Sequence, residues 1–253
     1  MVERNAPLAI AAGKTAVSFD PASDRLRAEG PGGAWAWDEA YEPFFLTAAG
    51  ERVPFGAARE KTFFSRETSL GPELVCRYAD FPGAGEVSFE TRFWVEAVSG
   101  ALYLEWLPLA GAGQLSRVLW PGPMAFGELR PDWQTVLPLR QGLLIPNGWE
   151  TPVGRLPFDG RFGTADAYLP WFGQLREGNG YLLLCDTPAD AGYRLDQREN
   201  NTRVGVWLDA SLGKLTPRRF RYLFFEHCTY NELCRAYREI VREGGRDGLL
   251  LRA

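Results

Sequence analysis

From residue 8 to residue 226 the chain is written almost entirely in short apolar–polar alternations, broken at close intervals by Gly, Pro, Asn and Asp. A period of two puts successive side chains on opposite faces of a pleated strand, so this pattern fits half-buried antiparallel strands and fits helices poorly. In "KTAVSFD" the residues Thr15, Val17 and Phe19 share a face, and "DRLRAEG" follows across a Pro-Ala-Ser turn to complete a hairpin. "KTFFSRETS" and "ELVCRYADF", split by "LGP", give a second. "EVSFETRFWVEAV" and "ALYLEWLPL", split by "SG", give a third. Here Val87, Phe89, Thr91, Phe93 and Val95 fall on one side, with Ser88, Glu90, Arg92 and Glu96 mainly on the other, so one side is expected to be dry.

The segment 109–170 departs from this. Gly and Pro are frequent in "PGPMAFGELRPDW" and "IPNGWETPVGRLPFDGRFGTADAYLPW", which predicts long ordered loops with few strands. Strands return as "WFGQLRE", "GYLLLCDT", "GYRLDQREN", "RVGVWLDA" and "PRRFRYLFFE". About fourteen to eighteen strands are expected in total, without internal repeats, and a pair of large antiparallel sheets packed face to face accommodates them better than a closed barrel. The fold class read from the pattern is therefore all-β, and 16 Phe, 9 Trp and 9 Tyr supply the bulk for its core.

The chain ends differently. Thr229 and Glu232 form a T-x-x-E capping box, and Leu233, Cys234, Ala236, Tyr237, Ile240 and Val241 recur at helical spacing. Gly244 and Gly245 then stop the helix in a left-handed cap. "GLLLRA" follows, with three leucines and no further chain to cover them.

Charge and composition exclude several function classes. The net charge of −4 comes from interspersed signs, so no basic surface is announced for nucleic acid or an anionic membrane. Of 28 basic residues only Lys14, Lys61 and Lys214 are lysine, and the arginine excess is not read as phosphate binding. Cys76, Cys185, Cys228 and Cys234 fit no zinc or redox spacing and read as small buried hydrophobes. The N-terminus lacks a secretory apolar stretch and no run approaches a membrane span, which predicts a cytoplasmic protein or one cut free of its signal.

Catalytic chemistry finds little support. His227 is the single histidine, and sugar epimerisation by an imidazole acid and an imidazole base needs two. No G-x-S-x-G elbow, phosphate cradle or tetrahedral His/Cys set appears, so neither metal nor cofactor is expected. Glycoside cleavage needs only two carboxylates, and Glu150, Asp159, Asp166, Asp186 and Asp190 lie at loop-like positions, but nothing in their spacing selects a pair. Aromatic side chains beside polar ones can hold a sugar, by stacking on its C–H face and bonding its hydroxyls. "PNGWE" and "DAYLPWFG" carry that mixture, which makes Asn147, Trp149, Glu150, Asp166, Tyr168 and Trp171 the candidate carbohydrate-binding residues. Trp149 and Trp171, with Trp35, Trp37 and Trp133, read equally well as core or domain-interface anchors.

Three segments carry a family resemblance: "VLPLRQGLLIPNG" (Val136 to Gly148), "YLPWFGQLREGNGYLLLCDTPADA" (Tyr168 to Ala191) and "YNELCRAYREIVREGG" (Tyr230 to Gly245). With them the chain resembles the N-terminal β-supersandwich domain, galactose mutarotase-like in fold, of large glycoside hydrolases of the endo-α-N-acetylgalactosaminidase type. The resemblance implies a two-sheet β-supersandwich over 1–228 and, over 229–253, a linker helix and the start of a connection to a (β/α)8 catalytic barrel. It implies that the acid and nucleophile belong to the barrel, so that no catalytic residue is carried here. The expected role is to brace that barrel, in cis or in trans, and to contribute to carbohydrate binding. A self-sufficient epimerase or polysaccharide lyase and a free-standing carbohydrate-binding module are the alternatives.

Overall fold

A computed structural model describes residues 7–140, 142–149, 156–199, 201–210 and 213–244. Its strands, in chain order, are β1 (Leu8–Ala12), β2 (Thr15–Asp20), β3 (Arg25–Gly30), β4 (Gly33–Ala36), β5 (Phe44–Thr47), β6 (Arg52–Pro54), β7 (Glu60–Thr68), β8 (Gly71–Ala79), β9 (Ser88–Val95) and β10 (Leu102–Ala110). There follow β11 (Leu115–Leu119), β12 (Gln134–Leu137), β13 (Leu143–Pro146), β14 (Phe158–Arg161), β15 (Trp171–Arg176), β16 (Asn179–Cys185), β17 (Ala191–Arg198), β18 (Asn201–Asp209) and β19 (Arg218–Phe225), and then one helix, α1 (Tyr230–Glu243). All pairings between these strands are antiparallel, in a four-stranded sheet β1-β2-β3-β4, a nine-stranded sheet β13-β12-β15-β16-β19-β10-β9-β8-β7 and a six-stranded sheet β14-β17-β18-β11-β5-β6.

The alternation read in the sequence sets the faces. On β9, Phe89, Thr91, Phe93 and Val95 are buried, as are Thr15, Val17 and Phe19 on β2. Phe19 stacks on Phe93 with ring centroids 5.5 Å apart, which seats the four-stranded sheet on the nine-stranded one. Phe45 of β5 meets Phe89 at 6.2 Å, and Trp120, just past β11, meets Phe93 at 5.9 Å, which seats the six-stranded sheet on the same face. Each such ring, fully buried, contributes about 1.5–3 kcal/mol relative to exposure.

The layers thus number two, as expected, but the second is divided between two sheets. Beyond β4 the chain bonds to the segment 123–125, with Ala125 N–H donating to Ala36 O (2.8 Å), Asp38 N–H donating to Pro123 O (2.8 Å) and Trp37 bridging to Met124. These few bonds join the small sheets without a continuous strand ladder and leave a seam.

The segment 109–170 holds β11 to β14, each four or five residues long, where the sequence predicts mainly loop. Such short runs carry too few alternations to be recognised, and their pairing is imposed by long neighbours such as β17 and β18.

Helix α1 lies on the other face of the nine-stranded sheet. Leu233, Tyr237 and Val241 pack against Val136, Trp171, Leu175, Leu182 and Leu184. The capping box forms as predicted: the Asn231 N–H donates to Thr229 Oγ1 and the Thr229 N–H to Glu232 Oε2 (2.9 Å). Cys234 faces outward and is exposed, contrary to its place in the predicted stripe and to the expectation of four buried cysteines, because it lies 100° around the helix from Leu233. Gly244 is the C-cap, at φ −72°, and the left-handed residue of a glycine cap is the one that follows it. Gly245 and the leucines of the tail lie outside the described residues. Among the described residues no helix is long and apolar enough to cross a membrane.

Candidate functional site

Two of the six predicted binding residues, Asn147 and Trp171, are sealed in the interior. Asn147 is fully buried: its Nδ2 donates to Glu128 O and to Asn201 Oδ1 (both 2.9 Å), and its Oδ1 accepts from Thr202 N–H (2.9 Å). It ties the end of β13 to the start of β18. Trp149 is half-buried against the main core, its carbonyl accepting from Gln197 Nε2 at 3.0 Å. Trp171 is 2% exposed beneath α1, on the opposite side of the nine-stranded sheet, and has no ring face to offer a sugar. Asp166 is half-buried, with its carbonyl accepting from Tyr193 Oη at 3.0 Å. Tyr168, by contrast, is 59% exposed. Glu150 lies outside the described residues.

Three of the five candidate carboxylates are held by arginines. Asp159 accepts from Arg117 (2.8 Å) and Arg194 (3.3 Å), Asp190 from Arg161 (3.0 Å), and Asp186 from Arg221 (2.7 Å). Asp209 adds bonds from Arg117 and Arg161, and both of these guanidinium groups lie over the Trp207 ring, at 4.6 and 5.2 Å. Gly192 makes room for that indole, since a Cβ there would meet Trp207 Cζ2 at 2.3 Å. Carboxylates so tied are poised as ion-pair partners and poorly placed for proton transfer. His227, exposed and left-handed at φ 53°, sits in the turn into α1. Among the described residues no three His, Cys, Asp or Glu side chains stand together as a metal site.

Among the described residues, two concavities border the candidate binding residues or the seam between the small sheets. One is an apolar groove of about 320 Å³ beside the C-terminal half of α1, where Tyr168, Pro170, Pro188 and Leu184 face Tyr237 and Val241. The other, about 570 Å³, opens at the seam between the two small sheets. Its walls come from β4 and the turn after it (Trp35, Asp38, Glu39), the 125–127 segment, Arg176 at the end of β15, and the β17–β18 hairpin (Arg198, Glu199, Thr202, Arg203).

Arg176 organises this seam cleft. Its guanidinium lies 3.8 Å over the Trp35 ring and donates to Phe126 O (3.3 Å) and Ala34 O, with no carboxylate partner among the described residues. Burial, only partly offset by Glu177, holds it below the usual arginine range. Arg203 pairs with Asp38 at 2.9 Å, whereas Arg198, Glu39 and Glu199 carry no ion pair among the described residues. Trp35 Nε1, Trp37 Nε1 and Thr202 Oγ1, of buried residues along this lining, are themselves sealed from solvent and have no hydrogen-bond partner among the described residues. Apart from the tryptophans, sequence reasoning singles out none of these residues, because the cleft gathers four segments that carry no local motif.

No family model and no curated protein matches the chain. Solved structures do. The α-N-acetylgalactosaminidase NagBb of Bifidobacterium bifidum, in complex with GalNAc, is 33% identical over 94% of this chain with a TM-score of 0.87. Its ligand-free form superposes with a TM-score of 0.84. An α-galactosidase from Lactobacillus brevis shares the fold alone, at 8% identity and a TM-score of 0.51 over 89% of this chain. The chain spans 39% of the length of the Bifidobacterium enzyme and 40% of the Lactobacillus one, and is thus similar to part of a larger glycoside hydrolase chain.

Proposed function

We propose that this chain is a non-catalytic domain of a glycoside hydrolase, which braces a (β/α)8 catalytic barrel and contributes to carbohydrate binding, with the general acid and nucleophile supplied from outside its residues. One observation carries the reading: 33% identity and a TM-score of 0.87 over nearly the whole of this chain, matched to well under half of an α-N-acetylgalactosaminidase. The side-chain chemistry supports it. Asp159, Asp186 and Asp190 are engaged by arginines, and a hydrolytic pair needs one carboxyl held protonated across a cleft from the other. The activity of the assembled enzyme would be cleavage of an α-linked N-acetylgalactosaminide or a related glycoside, and its partners a carbohydrate and the barrel.

Rigidity suits the bracing role. The outer face of the nine-stranded sheet carries a cross-strand ladder in which Glu90 accepts from Arg77 (2.5 Å) and Arg92 (2.6 Å), and Glu105 accepts from Arg219 (3.0 Å). Beside it Trp94 and Tyr103 stack at 5.2 Å. Paired charges on a stiff sheet present a fixed surface at little cost in side-chain entropy on docking.

The test is a chimera in which this chain replaces the corresponding stretch of the Bifidobacterium enzyme. An active chimera, with no turnover of an aryl α-N-acetylgalactosaminide by the isolated chain, supports the proposal; turnover by the isolated chain overturns it.

A further inference from the structure

We infer that the apolar groove beside helix α1 is the seat of this chain's own C-terminal segment, residues 245–253, and that Leu249, Leu250 and Leu251 are the side chains that fill it. The inference goes beyond the bracing role and does not depend on it. One wall of the groove is the C-terminal half of α1, with Tyr237, Ile240 and Val241, and the other is Tyr168, Pro170 and Pro188. Gly244, the C-cap of α1, itself lines the groove, so the chain leaves the helix at the edge of the site. In sequence it continues Gly-Arg-Asp-Gly-Leu-Leu-Leu-Arg-Ala. Leu249 is five positions past Gly244, a span of at most about 17 Å, and a groove of about 320 Å³ that begins at Gly244 lies within that reach. Gly245 and Gly248 let the chain reverse along the helix.

Size, polarity and charge select this occupant. The groove is about twice the roughly 150 Å³ of an apolar cavity that takes in one small hydrocarbon, which gives room for leucine side chains. Ile240 is half-buried and Tyr168 is 59% exposed, so both have apolar surface left to cover. Among the described residues that line the groove only Arg221 is charged, and it pairs with Asp186 at 2.7 Å. Arg246 and Asp247, between the helix and the leucines, thus meet an acidic and a basic side chain at the rim, while the leucines meet the apolar walls. Docking takes the leucines out of water together with the groove surface that faces them, and both losses of apolar exposure favour it.

Nuclear Overhauser spectra of the full chain, labelled at leucine, isoleucine and tyrosine, test this. Cross-peaks from the methyl groups of Leu249, Leu250 or Leu251 to the Tyr168 or Tyr237 ring and to the Ile240 methyls are expected, independent of protein concentration. Leu249→Ser, Leu250→Ser and Leu251→Ser combined should lower the melting temperature by about 3–6 °C and leave the circular dichroism of the folded protein unchanged. Ile240→Ala should lower it as well, and all four changes together should cost clearly less than the sum of the two separate effects, because both remove one shared contact. The inference is overturned if the leucines give no cross-peaks to the groove, if the triple variant melts with the parent, or if the two losses add. It is overturned equally if the cross-peaks arise only between differently labelled chains of a mixed sample, which would assign the groove to a second copy. None of these results bears on the chimera, whose activity is a separate readout of the bracing role.

Discussion

The indole of Trp171 and the ring of Tyr237 lie 6.0 Å apart, tilted by 32°, where helix α1 meets the outer face of the nine-stranded sheet. This contact, with Leu233 and Val241 on either side of it along the helix, makes α1 part of the domain and gives Trp171 a packing role. Trp171→Ala should therefore cost about 3 kcal/mol of stability, as expected when a buried aromatic is truncated. Urea unfolding followed by tryptophan fluorescence and circular dichroism measures it, and a variant as stable as the parent would show that the helix does not depend on this ring.

The same interface depends on Gly173. A Cβ there would stand 2.5 Å from Tyr181 O and 2.7 Å from Leu233 Cδ1. The first neighbour is backbone and cannot yield cheaply. Gly173→Ala is expected to lose about 1–3 kcal/mol through overpacking and to loosen α1 first. Hydrogen exchange that accelerates in α1 before the central strands is the signature to look for.

Glu90 ties the outer ladder to pH. Burial pushes its carboxyl up, but the bonds from Arg77 and Arg92 outweigh burial and leave it below the usual 4.5. A carboxyl depressed in the folded state contributes stability that is fully present above its unfolded pKa and lost as pH falls through the folded value. Wild type should thus exceed Glu90→Gln by about 1–2 kcal/mol at neutral pH, less than for a fully buried pair because Arg77 is half-exposed. The gap should close below about pH 4. Denaturation curves of both proteins between pH 3 and 7 check this, and a constant gap would contradict it.

Asp24 has the opposite sign. Burial raises its carboxyl above the usual 3.8, despite the bond from Tyr78 Oη (2.6 Å) and the nearby Lys61. A raised folded value means that the group's contribution is present below the unfolded pKa and lost as pH rises through the folded one. Asp24→Asn, which can keep the bond from Tyr78 and tolerates the left-handed backbone at φ 53°, should be at least as stable as wild type at pH 7 and lose that advantage towards pH 3. Melting temperatures at the two pH values decide it.

The parts of the fold legible in advance are those encoded by neighbours along the chain. The faces of β2 and β9 follow from alternation over six to eight residues, and the start of α1 follows from Thr229 and Glu232, three positions apart. The short strands β11 to β14 escaped because four or five residues hold too little periodicity to stand out from loop. The outward turn of Cys234 is a matter of one helical position beside Leu233, which composition does not resolve.

By itself the sequence determined that this protein is nearly all strand, which side of each long strand is dry, and where its helix begins, because these depend on residue spacing and local capping. Tertiary structure alone decided that two small sheets share one layer, that Trp171 is sealed under α1 while Tyr168 stays in solvent, and that Trp35, Arg176, Arg198 and Thr202 line one cleft. Those outcomes depend on which distant segment lands against which. Such contacts are fixed by the packing of whole sheets, and no short stretch of the chain encodes them.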